Sequence, residues 1–132
     1  MLLTASLGGC GGGGPYPVEG NVVWKDGSPA KELEGSQVVF DLPEKQTSAR
    51  GVIQNDGTFR LTTNKPNDGA LAGEYKVLVL ETRKQLGGPD SINIAPGVMD
   101  ARFYDPRTSD LQATVKPGTN KITLTVERAP RR

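Results

Sequence analysis

Asp100, Asp105 and Asp110, with Asp90 upstream, place carboxylates at intervals of five along the chain. Calcium takes about six to eight oxygens from one compact loop, and this spacing lacks the alternating pattern of such loops; the aspartates read more simply as turn formers. Glu74 and Asp68 offer the residue types that glycoside hydrolysis needs. They flank a strand entrance at Gly73, where a structural role fits better. Trp24 is a candidate stacking surface for a sugar, and Tyr104 a second ligand contact. Seven aromatic side chains in all leave few for an exposed site once a core is filled. Tyr75, close to a strand start, is expected to bury its ring and bond a backbone group at a sheet corner. There is no histidine, which removes the usual general acid/base and the commonest zinc ligand. Neither a Ser-His-Asp nor a Cys-His arrangement can be assembled from this chain. Only carboxylate or Ser-Lys chemistry passes this filter, no cofactor is called for, and the chain reads as a non-enzyme.

The single cysteine, Cys10, excludes an intrachain disulfide and a thiolate metal cluster. Its surroundings point to another use. Leu7-Gly8-Gly9-Cys10 has the form of a bacterial lipobox, with small residues that let extended backbone enter a membrane peptidase and a thiol that takes the lipid. Met1 to Leu7 is far too short to span a bilayer, which needs about 20 apolar residues. No Lys or Arg precedes Lys25, although a signal peptide carries a positive first region; the true start is therefore expected upstream of Met1. The plain alternative is an incidental cysteine in a leader. Its glycine neighbours, which offer nothing to pack against, argue against a buried core role. Lipidation would leave residues 10–17 as a tether with a relaxed span of about 15 Å, stiffened by Pro15 and Pro17. Three acyl chains on the mature cysteine would hold it firmly, where one chain anchors only marginally.

The elements that must carry these residues are strands. The chain has 132 residues, enough for one domain and a tail. Lys plus Arg is 16 against 15 for Asp plus Glu, a net charge of +1. No basic stripe with interleaved aromatics is present, so nucleic acid is not an expected partner. Six of the 17 glycines lie between Gly8 and Gly14, and most others sit singly between alternating apolar runs. That is turn punctuation.

From Val18 the period is two. Val18, Gly20, Val22 and Trp24 share one face, and Lys25 to Pro29 breaks the run. Gln37 to Leu42 is a second strand, ended by Pro43. Ala49–Gln54 and Thr58–Thr63 form a hairpin about Asn55-Asp56-Gly57. A two-residue type I′ turn at Asp56-Gly57 sets Val52 opposite Leu61 and Gln54 opposite Phe59, with Val52, Phe59 and Leu61 inward. Gly73 to Leu80 is the longest apolar run, with Tyr75, Val77 and Val79 inward and Leu78 and Leu80 on the reverse; it is expected to be central. Residues 83–96 read as a long loop. Arg102-Phe103-Tyr104 and Leu111 to Val115 are short strands about Asp105-Pro106, and Lys121 to Glu127 closes the domain. Seven or so short strands at this spacing predict an all-β, two-sheet sandwich, prealbumin-like or Ig-like.

In this order the segments Val18-Glu19-Gly20-Asn21-Val22, Asp26-Gly27-Ser28-Pro29, Val38-Val39-Phe40, Asn55-Asp56-Gly57-Thr58-Phe59-Arg60-Leu61 and Asp68-Gly69-Ala70-Leu71-Ala72-Gly73-Glu74-Tyr75-Lys76-Val77 resemble the small carboxypeptidase regulatory-like (transthyretin-like) lipoproteins of planctomycete bacteria. Phe103 to Leu111 and Val115 to Asn120 fit as well. Trp24 departs from the smaller apolar residue usual there, and Lys31 to Gly35 is an insertion. The resemblance implies an exported β-sandwich with no assigned activity, and a mature protein that starts at an acylated Cys10. The expected organisation is a truncated signal, lipobox and tether over 1–17, the sandwich over 18–128 and a tail over 129–132. The expected place is the cell envelope, on a membrane and facing periplasm or cell surface. The expected partners are that membrane through the lipid, and an envelope protein or glycan through the loops at one end.

Overall fold

The computed structural model describes residues 14–82, 87–90, 92 and 97–130. These residues form seven strands: β1 (Val18–Trp24), β2 (Gln37–Leu42), β3 (Thr47–Val52), β4 (Thr58–Arg60), β5 (Gly73–Leu80), β6 (Gln112–Val115) and β7 (Asn120–Val126). They form two sheets, ordered β4-β1-β7 and β3-β2-β5-β6. The expected two-sheet β-sandwich is what the sequence makes. β7 runs parallel to β1, Val18 opposite Asn120 through to Trp24 opposite Val126, so the first and last strands of the domain lie side by side. The remaining strand pairs are antiparallel.

Alternation puts Val22, Trp24, Val38, Phe40, Phe59, Leu61, Tyr75, Val77, Val79, Leu124 and Val126 into one core. Each large side chain buried there contributes about 1.5–3 kcal/mol relative to exposure. Phe40 lies between Phe59 and Tyr75, its ring centre 6.2 and 5.7 Å from theirs, in tilted arrangements. Tyr75 is buried, and its hydroxyl donates to the Leu71 carbonyl at 2.7 Å. Burial pushes that hydroxyl's pKa up. The corner bond expected of Tyr75 is present. Gly20 faces the Phe59 ring, and a Cβ there would overlap it.

The hairpin departs from expectation by one residue. Gly57 N–H donates to the Gln54 carbonyl at 3.0 Å, and Gln54 N–H to the Thr58 carbonyl at 2.7 Å. The loop is therefore the three residues Asn55-Asp56-Gly57, with Gly57 left-handed at φ 86°, not a two-residue turn. Asp56 fixes it by accepting from the Thr58 N–H and hydroxyl. Arg50 is opposite Thr62, and the shifted register turns Val52 outward, 48% exposed, while Ile53 enters the core. The two arms also part company. β3 pairs with β2 in one sheet and β4 with β1 in the other, so the hairpin is a corner between sheets. The turn recurs at Trp24 to Ser28, with the same two backbone bonds and Asp26 in the role of Asp56.

Two further segments differ from the sequence reading. Arg102-Phe103-Tyr104 is not a strand but part of a 3-10 turn, Ala101–Tyr104, started by Asp100 accepting from the Arg102 N–H. Leu33, in the inserted segment, sits on a 3-10 turn, Lys31–Leu33, and is fully buried. β5 is interior to its sheet as expected, yet Leu80 on its reverse face stays exposed. Of the long loop expected over 83–96, residues 83–86, 91 and 93–96 lie outside the described residues.

The loop after Leu61 is organised by one carboxylate. Asp68 accepts from the backbone N–H groups of Thr63, Asn64 and Lys65 at 2.7, 3.0 and 2.9 Å. Burial works against its charge, but the three donors outweigh it and hold its pKa below the ordinary carboxylate value. Asp68→Ala is expected to cost about 1–2 kcal/mol in urea unfolding, the size of a lost helix cap. The depressed pKa fixes the sign of the pH dependence. The contribution is complete above the ordinary value of about 3.9 and is lost as pH falls through the lowered one, so wild type and variant should converge in acid.

Candidate functional site

The residues singled out for chemistry do not gather. Cys10 lies outside the described residues. Trp24 was a candidate stacking surface, but its side chain is 1% exposed. The alternation of β1 turns it inward, its Nε1–H donates to Glu32 at 3.0 Å, and the Arg128 guanidinium lies 4.3 Å from the ring centre. That stacked cation occupies the position a sugar would need. Tyr104 is 50% exposed and rims a hollow of about 230 Å³ with Leu80, Glu81, Met99 and Ala101, a lining that does not include Trp24. Tyr16 is half-buried and exchanges backbone bonds with Ala70. No shared aromatic surface arises from these three.

Three of the carboxylates, Asp100, Asp105 and Asp68, are taken up by local structure. Asp100 starts the 3-10 turn and also pairs with Arg102, which bonds Glu127 as well. Asp105 accepts from the Arg107 N–H and guanidinium, which lower its pKa. Asp68 holds its loop as described, and Glu74 is exposed on β5. Among the described residues, no three of His, Cys, Asp and Glu are placed to hold a metal ion. The buried hydroxyls are spoken for too: Ser109 donates to the Val77 carbonyl at 2.7 Å, and Ser36 accepts from the Thr82 N–H at 2.9 Å.

What the sequence reading missed is a groove at the β3–β4 corner. Because the arms of the hairpin enter different sheets, they part between the Gln54–Thr58 and Arg50–Thr62 backbone bonds and leave a cleft of about 600 Å³. That volume lies within the usual range of ligand sites. Gln37, Arg50, Gln54, Thr58, Arg60 and Asn67 line it, with Val52 and Thr62. Gly51 forms part of its floor, and a Cβ there would come within 2.5 Å of the Arg60 carbonyl. Two arginines and no carboxylate face this space. A three-residue loop at Asn55-Asp56-Gly57 is the one signal that could have exposed the groove, since it sets the register that brings Arg50 and Arg60 to the same corner.

No helix among the described residues is long and apolar enough to cross a membrane. Compared with known protein families, curated proteins and solved structures, the chain matches none of them.

Proposed function

We propose that this chain is a non-catalytic exported lipoprotein, a β-sandwich tethered to a membrane through Cys10 that serves as a structural or interaction module of the cell envelope. The observation that carries the proposal is how the glycine tract would meet the domain. Tyr16 donates to the Ala70 carbonyl at 2.8 Å and accepts from the Ala70 N–H at 3.0 Å, and the Pro17 carbonyl accepts from Asn120 N–H at 3.0 Å. A tether ending in such a clasp gives the sandwich one defined point of suspension. The lipobox form of Leu7 to Cys10 and the resemblance to small envelope lipoproteins support the same reading. The missing histidine, with acidic side chains committed to turns, favours a module without catalysis.

The test is fractionation of the protein expressed in a bacterium with its native upstream sequence. Wild type is expected in the membrane fraction, with an acylated N-terminal cysteine by mass spectrometry at the position of Cys10. Cys10→Ser should move at least about tenfold more protein to the soluble fraction, since three acyl chains hold far more tightly than the marginal single one. Wild-type protein with an unmodified thiol in the soluble fraction would refute the anchor.

A second reading, a glycan- or peptide-binding domain, is favoured by the groove between β3 and β4. Of the loops at one end of the sandwich, first in line from the sequence, the described residues form a hollow beside Tyr104 of about 230 Å³, smaller than the groove.

A further inference from the structure

We infer that the groove at the β3–β4 corner is a binding site for a carboxylate-bearing polysaccharide, of the uronic acid class. The inference rests on reading the domain as an interaction module and not on the anchor, so its test and the Cys10→Ser fractionation fail independently.

Charge comes first. Arg50 has no ion-pair partner among the described residues, and Arg60 has only Glu19 at 3.8 Å, with both side chains more than half exposed. Such a pair contributes little and gives way readily to a ligand. The chain as a whole is close to neutral, yet this wall holds two cations and no anion. A guanidinium presents a planar fork of donors that matches a carboxylate in two parallel bonds. In the hairpin register Arg60 lies opposite Val52, two residues from Arg50, an offset of roughly 7 Å along the strand. The two forks therefore address separate positions along a bound chain.

The rest of the lining decides between a glycan and an acidic peptide. An extended peptide is recognised chiefly through main-chain bonds to a free strand edge. Here that edge is largely used. Arg50 exchanges both backbone bonds with Thr62, Gln54 N–H is bonded to Thr58, and the Val52 carbonyl accepts from the Gln54 side-chain amide at 3.2 Å. What faces the cleft instead is side-chain amide and hydroxyl: Gln37, Asn67, Thr58 and Thr62. Thr62 already accepts from the Asn67 N–H at 2.8 Å, which leaves its own proton to donate. Amides and hydroxyls that can both donate and accept suit vicinal sugar hydroxyls, and the arginines suit the carboxylate. Phe59 is buried beneath, so no ring stands free to stack on a neutral sugar. Recognition therefore depends on the acid group.

Retention of the full-length protein on immobilised polygalacturonate, dextran and polyglutamate, at about 0.15 M salt where diffuse attraction is screened, tests the inference. Retention is expected on polygalacturonate and not on dextran, and more weakly on polyglutamate. The double variant Arg50→Gln/Arg60→Gln should lose at least about tenfold in affinity, less than two charge-assisted bonds are worth. Lys45→Gln/Arg107→Gln removes the same charge elsewhere on the surface and should bind as wild type. Arg50→Gln alone, which disturbs no ion pair, serves should the double variant unfold, and its affinity should fall in the same direction. No retention on polygalacturonate, equal retention on polyglutamate, or an equal loss in the Lys45/Arg107 control overturns the inference.

Discussion

Gly69→Ala is expected to destabilise the domain by about 3–5 kcal/mol, in the range reserved for changes with a specific structural cause. Two effects add at this residue. Gly69 has φ 96°, where an L side chain is strained by about 1–2 kcal/mol. The larger effect is space, since a Cβ at Gly69 would overlap the Tyr16 carbonyl and crowd Pro17 Cα at 2.9 Å. The loop cannot simply retreat. Gly69 N–H donates to the Leu61 carbonyl at 2.9 Å, and its own carbonyl accepts from the Thr63 hydroxyl at 2.7 Å. The clasp between Tyr16 and Ala70 has to open instead. Gly118→Ala is the matched control, because Gly118 has a similar φ of 104° with nothing near its missing Cβ. Urea unfolding should show a loss of about 1–2 kcal/mol for Gly118→Ala and clearly more for Gly69→Ala, with faster proteolysis before Val18 in the latter alone. Equal losses in the two variants would mean that the clasp contributes nothing, and a tether would then hang from a loose end.

The sandwich was legible because its evidence is local and repeated. Alternation in β1, β2, β5 and β7 specifies which face is buried, and the strand bounds of β2 and β5 follow from Pro43 and from Gly73. Tyr75 was legible for the same reason, as a tyrosine two residues into a strand with a carbonyl within reach at Leu71. The groove was not, because it depends on a count of one. Asp-Gly fits both a two-residue turn and the last two residues of a three-residue turn, and the choice moves Val52 from core to surface. The bond from Thr58 to Asp56 marks the three-residue form, and Ser28 with Asp26 repeats it after Trp24. A hydroxyl residue directly after Asp-Gly was thus a readable signal. Phe103 and Leu33 illustrate another limit. Leu33 is a single apolar residue in a polar stretch, Phe103 lies in a run too short to show which period it follows, and each is buried by a 3-10 turn.

Trp24→Ala is expected to cost about 3–5 kcal/mol, the usual range for removing a large buried aromatic. The indole fills the end of the core where β1 and β7 run in parallel, directly beside Val126. Its loss also strands two charged neighbours. Glu32 bonds the indole Nε1 and Arg128 at 3.0 Å each, and those two bonds, the indole first, hold its pKa below the ordinary value. Arg128 in turn lies over the ring. Without the ring the Glu32–Arg128 pair becomes an ordinary exposed ion pair, which contributes at most about 1 kcal/mol. Glu32→Gln separates packing from charge: the amide oxygen still accepts from Nε1, so the loss should stay near 1 kcal/mol and should vanish as pH falls through the lowered Glu32 pKa. The two readings of Trp24 diverge in the same measurement. A core residue gives a large unfolding loss and leaves the retention of still-folded Trp24→Ala on polygalacturonate unchanged, whereas a stacking platform gives a small loss and abolishes sugar binding. The buried ring and its occupied face predict the first result, which leaves Arg50 and Arg60, not the tryptophan, as the side chains that meet a glycan.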